Sequence, residues 1–220
     1  MADSDSRAGA RYATDAVLRF VDSLHAPHDP ALAAAFAAPE RNGMPAIQVG
    51  PSEGKLVELL VGIRGATRAL EIGTLAGYSA IRIARGLAPG GTLITVEKEP
   101  RHAEVARARI AEAGFADRVE VRVGDAVEVL ASLEDEAPFD VVFLDADKGR
   151  YDVYGRWAYD RLAPGGLLLA DNAYFFGRLT DADDPDAAAM RRFHTEAAAR
   201  LSTVCIPTPD GLVLGWNHTR

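Results

Sequence analysis

Apolar residues follow two rhythms along the chain. Over residues 15–65 they recur at helical spacing: Val17, Leu18, Val21 and Leu24 share one face of "TDAVLRFVDSL". A second helix is predicted after Asp29-Pro30, where an acid precedes a first-turn proline. "SEGKLVELLVGI" predicts a third, capped by Ser52, with the turn-rich "RNGMPAIQVGP" as a loop before it. From Arg68 onward, short apolar runs alternate with helical stretches. "RALEIG", "TLITVE", "VEVRVG", "FDVVFLD" and "GLLLAD" read as strands, and helices are predicted to start near Tyr78, Pro100, Asp125 and Arg150. That alternation predicts an α/β fold, a doubly wound parallel sheet with helices on both faces. A helix over residues 187–201 follows, then "STVCIP" and "GLVLGWN", split by the hairpin-like "TPDG". The last strand is therefore expected to run antiparallel. "LAPGG" occurs twice, at 87–91 and 162–166, and each copy is expected to end a helix and feed a strand. The expectation is one domain over 1–220, with 1–14 as a disordered leader and 15–65 as a helical N-terminal cover.

Composition narrows the partners. Of 220 residues, 48% are hydrophobic and 25% charged, ordinary for a globular protein with a sizeable core. A formal charge of −8 repels phosphate backbones, which argues against nucleic acid. Arg101, Arg107 and Arg109 alternate with Glu104 and Glu112 as on a solvated helix face. The single cysteine, Cys205, reads as a core residue in a late strand and fits a reducing compartment. No apolar run reaches the ~18 residues of a membrane span, and the start lacks the order of a signal peptide. A cytoplasmic protein without membrane contact is expected.

In a parallel sheet every strand ends at one edge, and ligands bind there. Five strands bring acids to it: Glu71, Glu97, Asp125, Asp145 and Asp171. Capping the next helix accounts for one, such as Asp125. Five together repel one another unless cations or donors answer them, so a cationic ligand, a metal or both is expected. The loop "EIGTLAGYS" carries Gly73 and Gly77 and opens a helix at Tyr78-Ser79, whose free N–H groups suit a carboxylate. Glu97, at the end of the second strand, suits the two hydroxyls of a ribose. S-adenosylmethionine meets these demands with a ribose, a sulfonium, an amine and one carboxylate. The absent G-x-G-x-x-G pattern and the acidic rim argue against a phosphate-rich nicotinamide cofactor.

Asp145 and the pair Asp171-Asn172 end neighbouring strands, ~4.8 Å apart. Two carboxylates and an amide oxygen are hard ligands that suit Mg²⁺, or another divalent cation such as Ca²⁺ or Mn²⁺, rather than zinc. His25, His28, His102, His194 and His218 lack ligand spacing and read as surface or packing residues. Lys148, one turn from Asp145, is either an exposed lysine paired with Asp147 or, beside a divalent ion, a general base.

With those residues identified, "LEIGTLAGYSAIRIAR", "VEKEP", "FDVVFLDADKGRY" and "GGLLLADNAYFFGRL" resemble the cation-dependent small-molecule O-methyltransferases. That group contains catechol O-methyltransferase and the plant caffeoyl-CoA O-methyltransferases. The resemblance covers residues 44–216, and "DADK" followed by "DN" is its most specific part. It implies a Rossmann-like seven-stranded sheet with a reversed last strand, and a homodimer. It implies that Asp145, Asp171 and Asn172 hold the divalent ion, that Lys148 is the base, and that Glu97 binds the cofactor ribose. Glu71, Gly73, Gly77 and Ser79 would surround the methionine part, with Asp145 also facing the cofactor. Asp125 and Ala126 would lie near the adenine, and Val49 would cover the cofactor. The implied reaction methylates a hydroxyl of a small aromatic acceptor with neighbouring hydroxyls. One departure stands out: the late glutamate that contacts the acceptor in mammalian catechol enzymes has no match here. Tyr174, Phe175 and Phe176 either stack on the acceptor ring or pack, and Arg178 either meets an acidic acceptor or lies on the surface. Competing readings are a nicotinamide-type oxidoreductase on a similar sheet and a non-catalytic protein that keeps the cofactor pocket.

Overall fold

Three helices precede the sheet in the computed structural model, which describes residues 12–218; the first eleven residues of the expected leader lie outside them. α1 (Asp15–His25) starts where the Thr14 hydroxyl accepts from Val17 N, 3.4 Å away. Its expected apolar face buries no residue, and Phe20 and Leu24 stay exposed. α2 (Pro30–Arg41) begins as predicted, with Asp29 accepting from Leu32 N at 3.0 Å. α3 (Pro51–Arg64) departs from expectation at its start. Ser52 is not the cap, because its hydroxyl donates to Asp22 of α1. Glu53 reaches back instead to Gly50 N at 2.9 Å, and Pro51 supplies the preset first turn.

The remaining elements alternate: β1 (Arg68–Ile72), α4 (Tyr78–Gly86), β2 (Thr92–Glu97), α5 (Pro100–Glu112), β3 (Val119–Val123), α6 (Ala126–Ser132), β4 (Phe139–Leu144), α7 (Tyr151–Tyr159), β5 (Leu162–Ala170), α8 (Pro185–Arg200), β6 (Ser202–Ile206) and β7 (Leu212–Trp216). The seven strands form one sheet in the order β3-β2-β1-β4-β5-β7-β6. Strands β1 to β5 pair in parallel, whereas β7 runs antiparallel to both its neighbours, as the hairpin signal foretold. The second "LAPGG" lies inside β5 rather than ahead of it. The register slips there, from Phe139↔Leu162 to Val141↔Leu167, and the slip absorbs the proline and glycines.

Side chains alternate across the sheet into two cores. Val141 and Phe143 of β4 pack with Val57 and Val61 of α3 and Ile81 of α4. Val142 and Leu144 pack with Leu130 of α6, Tyr151 of α7 and Phe193 of α8. Helices on both faces leave the carboxyl ends of β1 to β5 as an open rim, and β1 and β4 meet where the strand order reverses. Arg101 and Arg107 stay exposed on α5, as expected of a solvated face, and each reaches a backbone carbonyl. They donate to Asn42 O (2.5 Å) and Val121 O (2.6 Å), and only Arg109 keeps a helix-surface partner, Glu112. Among the described residues, no helix is long and apolar enough to cross a membrane.

Candidate active site

A cleft of about 530 Å³ opens over the strand tips. Most of the residues singled out from the sequence line it: Gly73 and Ser79 above β1, Glu97 above β2, Asp125 and Ala126 beyond β3, and Asp145, Lys148 and Asn172 above β4 and β5. Val49, 5% exposed, closes it from the loop before α3.

Glu71 lies beneath the rim rather than on it, fully buried. Thr95 Oγ1 donates to its Oε2 at 2.5 Å, and Thr74 Oγ1 lies 2.5 Å from Thr95 Oγ1. Its Oε1 is buried without a hydrogen-bond partner. Burial pushes this carboxyl up to about 8, against the pull of Ser79 and Thr95, and the charges of Asp145 and Glu97 add to the rise. An orphaned acid oxygen under the cleft suits an ammonium group. The raised value also carries a sign. The folded protein holds a proton on Glu71 that the unfolded chain, with an ordinary value of 4.5, has lost. Stability from this group is therefore complete below the unfolded value and falls as pH rises toward about 8, on the order of 1.4 kcal/mol per pH unit. Glu71→Gln is expected to flatten the fall in melting temperature between mildly acidic and mildly alkaline pH. A parallel decline in parent and variant would count against it.

Gly73 and Gly77 owe their identity to the protein's own packing. Gly73 has φ +104, and a Cβ there would sit 2.0 Å from Asp145 O. Gly77 has φ +86 and lies against Ala106 and Ile110 of α5, away from the cleft lining. Of these two, Gly73, pressed between β1 and β4, borders the cavity.

Two backbone donors hold Glu97. Leu75 N donates to Oε2 at 2.8 Å and Glu99 N to Oε1 at 2.9 Å, which leaves lone pairs on both oxygens. Leu75 reaches that position with φ +49, in the left-handed region. His102, expected on the surface or in packing, stands in the cleft wall with Nδ1 3.6 Å from Glu97 Oε1. Asp125 does cap α6, accepting from Val127 N at 3.0 Å, and its other oxygen takes Arg150 at 2.7 Å. Arg150 holds the Asp125 carboxyl below its ordinary range.

At the tips of β4 and β5, the pairing Leu144↔Ala170 sets Asp145 and Asp171 side by side, and Asp171 N donates to Leu144 O at 2.9 Å. Asp171 is 5% exposed. Burial raises its carboxyl well above the usual range, and the negative charge of Asp145 raises it further. Asn172 turns the chain with φ +54 and lines the cleft. Among the described residues, no three His, Cys, Asp or Glu side chains gather as a metal cluster. The donor set here is two carboxylates and an amide, hard oxygens that leave coordination positions for other ligands. A desolvated carboxylate beside a second one is stabilised by a cation, so these residues fit a divalent ion.

Lys148 pairs with Asp145, not with Asp147. Its Nζ lies 3.0 Å from Asp145 Oδ1 and donates to the Tyr151 hydroxyl at 2.7 Å. Asp147 turns to Arg150 at 3.5 Å and accepts from Tyr154. Of the five strand-end acids, then, Asp125 and Asp145 have protein cations and Glu97 has backbone donors. Glu71 has the Thr95 hydroxyl on one oxygen, and Asp171 lies buried beside Asp145 with a backbone donor from Asn172.

Beyond Asn172 the three aromatics divide. Phe175 is buried and Tyr174 packs on Gly211 of the β6–β7 turn, whereas Phe176, 63% exposed, lines the cleft. Phe175 and Phe176 both have positive φ, 51° and 53°, and Asp210 accepts from Phe176 N at 2.9 Å. Arg178 pairs with Asp184 and lies over the Phe175 ring, so it is committed within the protein.

The O-methyltransferase family model matches residues 25–217. The chain is 47% identical over 174 residues to the catechol O-methyltransferase of Mycobacterium tuberculosis, covering 79% of each protein. It is 39% identical over 211 residues to the catechol O-methyltransferase of Niastella koreensis, covering 91% of this chain and 96% of that one. Among solved structures, the O-methyltransferase from Bacillus cereus in complex with SAH superposes with a TM-score of 0.88 at 38% identity, over 92% of this chain and 97% of that one. TomG from Streptomyces achromogenes, in complex with SAM, superposes with 0.86 at 38% identity, over 93% and 96%.

Proposed function

The chain belongs to the O-methyltransferase family, an S-adenosylmethionine-dependent enzyme acting on a small molecule, and we propose that it requires a divalent cation and methylates one of two neighbouring hydroxyls on an aromatic acceptor. Family membership sets aside the nicotinamide oxidoreductase reading. The observation that carries the proposal is the registered pair Asp145 and Asp171 with Lys148 Nζ 3.0 Å from Asp145. The two curated relatives bear the name catechol O-methyltransferase, which agrees with a vicinal diol.

Asp145, Asp171 and Asn172 would hold Mg²⁺ or a similar ion, with Asn172 oriented by its left-handed backbone. An ion held by these residues would supply Lewis acidity that lowers the pKa of a neighbouring acceptor hydroxyl. Lys148 Nζ receives the hydroxyl proton, anchored by Tyr151 as it does so. S-adenosylmethionine supplies an electrophilic methyl group. Glu71 Oε1 answers its ammonium, Glu97 its ribose hydroxyls, and the α4 start at Ser79 its carboxylate. Asp125 and Ala126 border the adenine end, Gly73 and Val49 the floor and cover. Phe176 and Ile47, both exposed at the mouth, provide apolar surface for an aromatic ring. A cytoplasmic homodimer belongs to the same proposal, and light scattering on the purified protein tests the dimer.

Transfer of a labelled methyl group tests the reading. Catechol should be methylated at least about tenfold faster than resorcinol, whose hydroxyls cannot share one cation. Equal rates on the two would contradict it.

A further inference from the structure

The Tyr151 hydroxyl joins three parts of the site. Lys148 Nζ donates to it at 2.7 Å. It has one proton of its own, and two backbone carbonyls stand ready to take it: Leu144 O and Asp171 O, each 3.1 Å away. Leu144 immediately precedes Asp145, and the second carbonyl belongs to Asp171 itself. One buried oxygen therefore spans the two strand tips that carry the carboxylates and the lysine between them.

The surroundings hold that oxygen still. Tyr151 is fully buried at the first turn of α7, with the Phe193 ring edge-on at 5.5 Å. Lys148 has two partners, Asp145 and Tyr151. A cation on Asp145 competes for the first and leaves the second untouched. Tyr151 is thus the partner of Nζ that bears no charge for a cation to draw away.

We propose that Tyr151 is the positioning residue of the site: its hydroxyl fixes Lys148 Nζ against the β4 and β5 tips, and so sets the base at a constant distance from the paired carboxylates. The inference rests on the proposed roles of Lys148, Asp145 and Asp171.

Tyr151→Phe removes the oxygen and keeps the ring. With Mg²⁺, labelled cofactor and catechol, kcat should fall about tenfold or more, while the KM for the cofactor stays within about twofold. Affinity for Mn²⁺, read by electron paramagnetic resonance without acceptor or turnover, should weaken severalfold as the tips lose their brace. Tyr159→Phe is the control. That buried hydroxyl donates to Phe193 O at 3.3 Å and does not line the cleft, so its loss should lower the melting temperature and leave kcat unchanged. Parental kcat and Mn²⁺ affinity in Tyr151→Phe would overturn the inference. So would a loss of cofactor affinity in step with kcat, or an equal loss of kcat in Tyr159→Phe, because both mark a general structural role. Failure of the underlying reading looks different: Lys148→Ala would then retain parental turnover whatever Tyr151→Phe does.

Discussion

Lys148→Ala is expected to turn over about 10²- to 10⁴-fold more slowly than the parent while binding S-adenosylmethionine with nearly unchanged affinity. The size follows from the absence of a substitute within the described cleft. Asp147 faces Arg150 and Tyr154, and His102 stands beside Glu97 on the opposite wall. The unchanged affinity follows from position. Nζ contacts Asp145 and Tyr151, whereas Glu97 and the α4 start form the other side of the cleft, with Glu71 buried beneath the rim. Isothermal titration with S-adenosylhomocysteine and single-turnover transfer to catechol separate the two quantities. A variant that keeps its rate would remove Lys148 from the chemistry.

Asp171→Asn should lose activity by a comparable factor and gain stability. A hard ligand charge is removed, and the electrostatic help lost with a cation is worth several kcal/mol, on the order of 10²- to 10³-fold in rate. The folded protein meanwhile no longer carries a desolvated carboxylate beside Asp145. The Asp171 carboxyl is raised in the folded state by burial and by Asp145. Its stability contribution is thus present at low pH and lost as pH rises through the raised value. Above that value the amide should melt at a higher temperature than the parent. Added Mg²⁺ should raise the parent's melting temperature and leave that of the variant nearly unmoved. A less stable variant at alkaline pH, or one that still responds to Mg²⁺, would contradict the assignment. Gain of stability with loss of function marks a residue kept for its task rather than for the fold.

Sequence pattern revealed what depends on local periodicity and on the direction of parallel strands. "FDVVFLD" and "GLLLAD" announced two buried strands whose ends coincide, and the acids at those ends followed from counting. The reversed β7 was legible from "TPDG" between two apolar runs. Long-range contacts were not legible. Ser52 looked like a cap, but Glu53 satisfies Gly50 N and Asp22 takes the serine. Both glycines of "EIGTLAGYS" looked ligand-facing; Gly73 does border the cleft, whereas Gly77 lies against the side of α5. Histidine spacing gave no sign of His102, because the residue it adjoins, Glu97, belongs to a separate strand. Tyr151 stood three residues after Lys148 in the quoted motif, but its value depends on two carbonyls that only the strand pairing brings together. Phe175 and Phe176 were indistinguishable by type; consecutive left-handed residues send one into the core and the other to the cleft.

Catechol methylation before and after removal of divalent ions tests the central claim most directly. Enzyme dialysed against a chelator and assayed in chelator-treated buffer should fall to background and recover in proportion to added Mg²⁺, while S-adenosylhomocysteine binding persists throughout. Full activity in the stripped enzyme would contradict it.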